Sequence, residues 1–232
     1  MRHEVELRWR MFEFRGHQAF CPVCRSHLRG FLPASWSATA TCPVCRTWDC
    51  HRLVWLFLER CLKIEQSPTS MLHIAPEPFL RRRLSATASV SYVSGDLRAG
   101  AADIRCDIHQ LPFRDGQFDL IYVSHVMNVV RDPQQALREL FRVLKPGGIA
   151  IPQVPVMTDG SPTIEAPDSD DARMQLFQDK YIRRLFGERE YLRDLEQAGF
   201  AATYDDRLAE LPKTEFARYG LSGTRLLVCS KS

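Results

Sequence analysis

Cys21-Pro22-Val23-Cys24 and Cys42-Pro43-Val44-Cys45 are two copies of one four-residue word, 17 residues apart. A CxxC turn offers two thiolates to one ion, and two such turns supply the four sulfur ligands that zinc takes in a tetrahedron at about 2.3 Å. Cys21, Cys24, Cys42 and Cys45 are therefore read as a closed, structural zinc site with no open coordination position. Iron is the alternative metal in principle. Four unligated cysteines would leave the repetition unexplained, and nothing around either word resembles the strand of a redox CxxC pair. Five of the eight cysteines fall between Cys21 and Cys50, a clustering that suits metal better than disulfides. Cys50 and His51 lie just past the second word and are read as packing residues at the start of a helix over residues 51–61.

The elements that hold this chemistry change character along the chain. Residues 1–60 carry nine Arg and five acids, which makes the N-terminal end basic. From about Ser70, short apolar runs alternate with amphipathic segments, the pattern of a parallel α/β sheet. Pro133 opens the clearest helix, with Ala136, Leu137, Leu140, Phe141 and Leu144 on one stripe and Lys145-Pro146-Gly147-Gly148 ending it. Near the C-terminus, residues 181–197 read as a helix stopped by Gly199, and 202–207 and 225–230 read as strands. The polar stretch 157–172 is expected to be a mobile loop over a site. Trp9, Trp36, Trp48 and Trp55 are expected to build a small core beside the cysteine module, and Arg81, Arg82 and Arg83 a solvated helix face.

Composition bounds the rest. The chain has 232 residues, 45% hydrophobic and 25% charged, enough for a substantial core. Its 31 Lys+Arg against 28 Asp+Glu leave a formal charge of +3, too little for a dedicated polyanion binder. No run of about 18 uncharged apolar residues occurs, and the charged N-terminus lacks the apolar stretch of a signal peptide. The expectation is a cytoplasmic protein with no membrane partner. Residues 1–64 are assigned to a zinc-binding module with a linking helix, and 65–232 to an α/β domain.

Between Met71 and Pro155 the pattern becomes specific: MLHIAPE, then SYVSGDL, then LPFRDGQFDLIYVSHV, then LRELFRVLKPGG. Over residues 65–230 the chain resembles class I S-adenosylmethionine-dependent methyltransferases of the type 11 group. The resemblance implies a Rossmann-like, doubly wound seven-stranded sheet and S-adenosyl-L-methionine as cofactor. It also implies that Asp107 meets the adenine amino group and that Ile108 covers the ring. The residues make sense as a nucleoside site, since a carboxylate at the tip of the second strand, Asp96, can accept both ribose hydroxyls. Ser124 and His125 end the fourth strand, at the edge where open α/β sheets bind ligands.

The first motif departs from the family pattern. His73, Ala75, Pro76, Glu77 and Pro78 stand where relatives carry an acid followed by a glycine-rich loop, and prolines remove N–H donors. His73 and Ala75 are kept as cofactor-binding candidates, and Glu77 is assigned to the cofactor's ammonium group. Asn128 stands where many relatives carry His. The expected activity is methyl transfer to a small molecule or biosynthetic intermediate, with His125 as the candidate base. The alternatives are an rRNA methyltransferase with an N-terminal zinc module, which would bind RNA, and a non-catalytic methyltransferase-like binding protein.

Overall fold

The computed structural model describes residues 9–34, 37–223 and 225–232. The chain divides into two compact units. The first gathers the described residues up to Pro68 with Glu77–Val90 and Asp205–Leu226, and the second takes Thr69–Pro76, Ser91–Tyr204 and Leu227–Ser232.

In the first unit, β1 (Arg15–Cys21) pairs antiparallel with β2 (Ser26–Leu28), and β3 (Leu32–Ala34) with β4 (Ser37–Thr41). Each cysteine word forms the turn after a strand, and each is followed by an arginine in the left-handed region, Arg25 at φ 56° and Arg46 at φ 64°. The repeated unit is therefore CPVCR, five residues that make the same knuckle twice. Helix α1 (Asp49–Leu56) continues into a wider π turn over Phe57–Cys61. Its start is closed by His51, whose Nδ1 accepts the Trp48 N–H at 3.0 Å. Of the tryptophans expected in a core, only Trp55 is buried; Trp9 and Trp48 are exposed, and Trp36 lies outside the described residues. Trp48 stacks on the His51 ring with centroids 5.5 Å apart, and Trp9 lies 6.4 Å from the Phe12 ring. Arg83 is not merely solvated: on α2 (Pro78–Ser85) its guanidinium lies 4.7 Å above the Trp55 ring and pairs with Glu65 at 2.7 Å.

Arg52, on α1, has no exposed surface and donates five hydrogen bonds to carbonyls. Nε reaches Tyr219 O at 2.7 Å, Nη1 reaches Ala40 O and Thr47 O, and Nη2 reaches Thr39 O and Gly220 O. A buried guanidinium survives only when every donor is met, and here all five are. Gly220, at the end of α3 (Lys213–Tyr219), sits at φ 59° against Phe31; a Cβ there would come within 2.3 Å of the Phe31 ring.

The second unit is built on a seven-stranded sheet. Its strands are β5 (Thr69–Ile74), β6 (Val90–Asp96), β7 (Ile104–Arg105), β8 (Phe118–Ser124), β9 (Leu144–Gln153), β10 (Ala201–Asp205) and β11 (Leu226–Ser230). They run in the order β10-β11-β9-β8-β5-β6-β7. β5, β8 and β9 pair parallel, as do β6 and β7, while β11 is antiparallel to β9. This is the mostly parallel, Rossmann-like sheet expected. The order reverses beside β5, so a crevice opens at the carboxyl ends of β5 and β8.

Helix α4 (Pro133–Val143) begins as its sequence demands, with Pro133 in its first turn and Asp132 accepting the Gln135 N–H at 2.8 Å. Ala136, Leu137, Leu140 and Val143 join Leu72, Ile121 and Val123 in the core. The chain passes straight from Val143 into β9, so Lys145-Pro146-Gly147-Gly148 opens a strand rather than capping the helix from outside. The stretch 157–172, expected to be a mobile loop over a site, carries some regular structure and reaches the cavity described below through Asp170. Two short strands, at Val156–Met157 and Ile164–Glu165, both pair with a strand at Arg184–Gly187, and helix α5 (Asp170–Phe177) follows them. Likewise the helix expected over 181–197 is shorter, α6 (Glu188–Gln197), because Arg184–Gly187 is recruited as that strand. Strand pairing decided these residues over their helical periodicity.

Candidate functional site

A cavity of about 980 Å³ lies in the second unit at the carboxyl ends of β5, β6 and β8, where Ile74, Asp96 and Ser124 are the last strand residues. Ala75, Asp107, Ile108 and His125 also line it. Asp96 is buried, and its Oδ1 accepts the Arg98 N–H at 2.7 Å. The Arg98 side chain approaches at 3.4 Å but is 82% exposed, so that ion pair contributes little. Asp107 is held below the usual carboxylate range chiefly by the backbone N–H of His109, and its Oδ1 also meets His109 Nδ1 at 2.6 Å.

Ala75 does the conformational work that the missing glycine would have done. It stands at φ 50°, with its N–H donating to Gly95 O at 2.8 Å. A left-handed alanine carries strain of about 1 kcal/mol that glycine avoids. Ala75→Gly is therefore expected to raise stability by up to about 1 kcal/mol, whereas Ala75→Val should lower it by more than that; paired denaturation curves measure both. Gly95, just before Asp96, tolerates no side chain: a Cβ would fall 2.6 Å from Cys106 Sγ and 3.2 Å from Ile74 Cδ1. Burial, then Asp96 and Asp107, pushes the Cys106 thiol up, so it stays protonated.

Ser124 Oγ is buried and, among the described residues, has no hydrogen-bond partner, and the same holds for Asn128 Oδ1 four residues on. Leaving a buried hydroxyl unpaired costs about 1–3 kcal/mol, so Ser124 Oγ, on the cavity wall, keeps hydrogen-bonding capacity for a group that enters it. His125 lines the cavity at φ 55°, and its N–H donates to Gln153 O at 2.9 Å.

Two sequence candidates lie elsewhere. His73 has no exposed surface; its Nδ1 is 2.9 Å from Tyr92 Oη and its ring packs against Tyr122. It alternates with Leu72 and Ile74, which enter the core cluster, so β5 turns it to the other face of the sheet. Glu77 belongs to the first unit, where its Oε1 is 3.3 Å from His51 Nε2 at the start of α2. The carboxylates that line the cavity are Asp96, Asp107 and Asp170. Conversely, sequence reading missed Arg131, Arg173, Lys180, Tyr181 and Arg183, all on the cavity. Their signal was the basic cluster Lys180, Arg183, Arg184 following the acids Asp168, Asp170 and Asp171, which a single long helix over 181–197 concealed.

In the first unit the four cysteine sulfurs lie within 4.8 Å of one another, with Cys21 Sγ 3.7 Å from Cys45 Sγ and Cys24 Sγ 3.9 Å from Cys42 Sγ. Ligands at 2.3 Å around a tetrahedral ion stand about 3.8 Å apart, so the spacing of the set suits such an ion. The Cys45 N–H points at Cys42 Sγ at 3.5 Å, and the Thr47 hydroxyl is 3.0 Å from Cys45 Sγ. Cys50 is not in the cluster; burial, then Asp49 and Glu77, pushes its thiol up to about 12.

A mostly parallel sheet with a buried acid at the tip of its second strand and a cavity at the switch point makes this unit a Rossmann-like α/β fold. Residues 59–151 match the family described as a methyltransferase domain. It is 39% identical over 97 residues, 41% of its length, to 28% of an uncharacterised 37.1 kDa protein in transposon TN4556 of Streptomyces fradiae. It is 38% identical over 79 residues, 34% of its length, to 25% of the ubiquinone/menaquinone biosynthesis C-methyltransferase UbiE of Pasteurella multocida. The chain thus matches only about a quarter of the length of these relatives. The solved structure of the [4+2]-cyclase SpnF shares the fold at TM-score 0.54 and 14% identity, over 98% of this chain and 94% of that one. The YcgJ protein of Bacillus subtilis does so at 0.50 and 14%, over 78% and 99%. Among the described residues, no helix is long and apolar enough to cross a membrane.

Proposed function

We propose that the chain is an S-adenosylmethionine-dependent methyltransferase acting on a small molecule or biosynthetic intermediate, with one structural zinc ion on Cys21, Cys24, Cys42 and Cys45. The observation that carries the catalytic reading is the cavity at the carboxyl edge with buried Asp96 at the tip of β6 and the unpartnered Ser124 hydroxyl at the tip of β8. Its volume of about 980 Å³ suits a nucleoside cofactor with a small acceptor beside it.

When bound, the cofactor supplies a methyl group already activated on a sulfonium, so the protein's task is mainly positioning. Asp96 accepts from the ribose hydroxyls. Asp107 and Ile108 take the adenine edge and face. Ala75 sets the turn over which the methionine end passes, and Ser124 donates into the cavity. His125, on the cavity wall, would take up the proton that an acceptor hydroxyl or amine gives up. Glu77, engaged by His51, is assigned to fixing the start of α2 rather than to the ammonium group.

Calorimetry with S-adenosylhomocysteine tests the reading. One saturable site per chain is expected, and a folded, zinc-loaded protein that binds none would overturn it in favour of a non-catalytic domain.

A further inference from the structure

Resting on the cofactor assignment above, we propose that the remaining part of the cavity takes an acceptor with an apolar body and an acidic group, a carboxylate or a phosphate. Val126, Val129 and Val130 form an apolar wall just after β8, and Arg131, Lys180 and Arg183 stand beside it. The acids of this region are already engaged. Asp170 is held by Arg173, and Asp168 by Arg173 at 2.9 Å and Arg183 at 2.8 Å. Among the described residues, Arg131 and Lys180 have no carboxylate within ion-pair distance, and Lys180 only faces the Tyr181 ring at 5.2 Å.

Two buried arginines hold the backbone beneath these cations. Arg173, with a side chain 8% exposed, donates from Nε to Lys180 O at 2.6 Å. Arg184, 5% exposed, donates to Met127 O, Val130 O and Arg131 O, at 2.7 to 3.2 Å. The positive rim is thus a fixed feature of the cavity. A cofactor with a sulfonium, an ammonium and one carboxylate adds a further positive charge. An anionic group on the acceptor completes that balance, and guanidinium recognises carboxylate or phosphate through paired hydrogen bonds. A neutral acceptor would leave the excess standing.

The test titrates 1-naphthoate, 1-naphthyl phosphate and neutral 1-naphthamide into protein saturated with S-adenosylhomocysteine. At least one anion is expected to bind about tenfold or more tightly than the amide, and comparison of the two anions identifies the acidic group. The double variant Arg131→Gln, Lys180→Gln should weaken anion binding by about tenfold while S-adenosylhomocysteine affinity holds. Equal binding of the amide, no binding of either anion, or an unaffected double variant would overturn the proposal. Anion binding that depends on Arg131 and Lys180 in a protein that takes no S-adenosylhomocysteine would instead uphold the anion site and overturn the cofactor reading.

Discussion

Cys42→Ser should release most of the zinc and destabilise the first unit severely. Structural zinc contributes an apparent folding free energy of about 10–16 kcal/mol in small peptides, and a hydroxyl is a poor substitute for one of four thiolates. The fit of the four sulfurs to one tetrahedral ion, 3.7 and 3.9 Å across two of its edges, leaves no spare ligand to step in. Metal analysis should return close to one equivalent for the native protein and well under half for the variant, with a midpoint of thermal unfolding lower by roughly 10 °C or more. Cys50→Ser is the control: its thiol is kept protonated by burial and lies outside the cluster, so zinc content should not change. Full retention of zinc by Cys42→Ser would refute the site.

Asp96→Ala should weaken S-adenosylhomocysteine binding by about a hundredfold or more. Each hydrogen bond to a charged group is worth about 1.5–3 kcal/mol, and two ribose hydroxyls are at stake. The fold should survive, because the ion pair that Asp96 makes among the described residues is with an Arg98 that is mostly in water. Calorimetry alongside a thermal melt separates the two effects. Unchanged affinity would place the cofactor elsewhere. Gly95→Ala should mimic the loss from behind, by driving Cys106 and Ile74 off the strand that presents Asp96.

The sheet and the cysteine knuckles were legible because each rests on a local signal. Alternating apolar runs set strands and crossovers, and a repeated CxxC word brings its own geometry. Asp96, Asp107, Ile108, Ser124 and His125 were reachable for the same reason, since each ends a strand or follows one, and all five line one cavity. Ala75 is a cofactor-binding candidate in the sequence, but that an alanine adopts φ 50° there depends on the Gly95 carbonyl holding its N–H, a partner twenty residues away. The basic rim failed to show for a related reason. Lys180 and Arg183 precede a strand whose partners lie at Val156 and Ile164, and that pairing is invisible to any local window. His73 and Glu77 were drawn toward the cofactor by proximity in sequence to the first motif. Strand alternation turned His73 to the opposite face, and His51 engaged Glu77.

Arg52 bears on how the chain acquires its fold. Two of its five acceptors, Tyr219 O and Gly220 O, lie 167 and 168 positions further along. During synthesis the cysteine knuckles emerge early and can capture metal, yet the guanidinium beside them stays incompletely satisfied until Gly220 has been made. Closing so long a loop is slow and entropically costly. The cysteine module is therefore not a detachable appendage. A fragment ending at Pro68 would strand a charge in its own interior, and grafting the module onto another enzyme would require carrying the Tyr219-Gly220 turn with it.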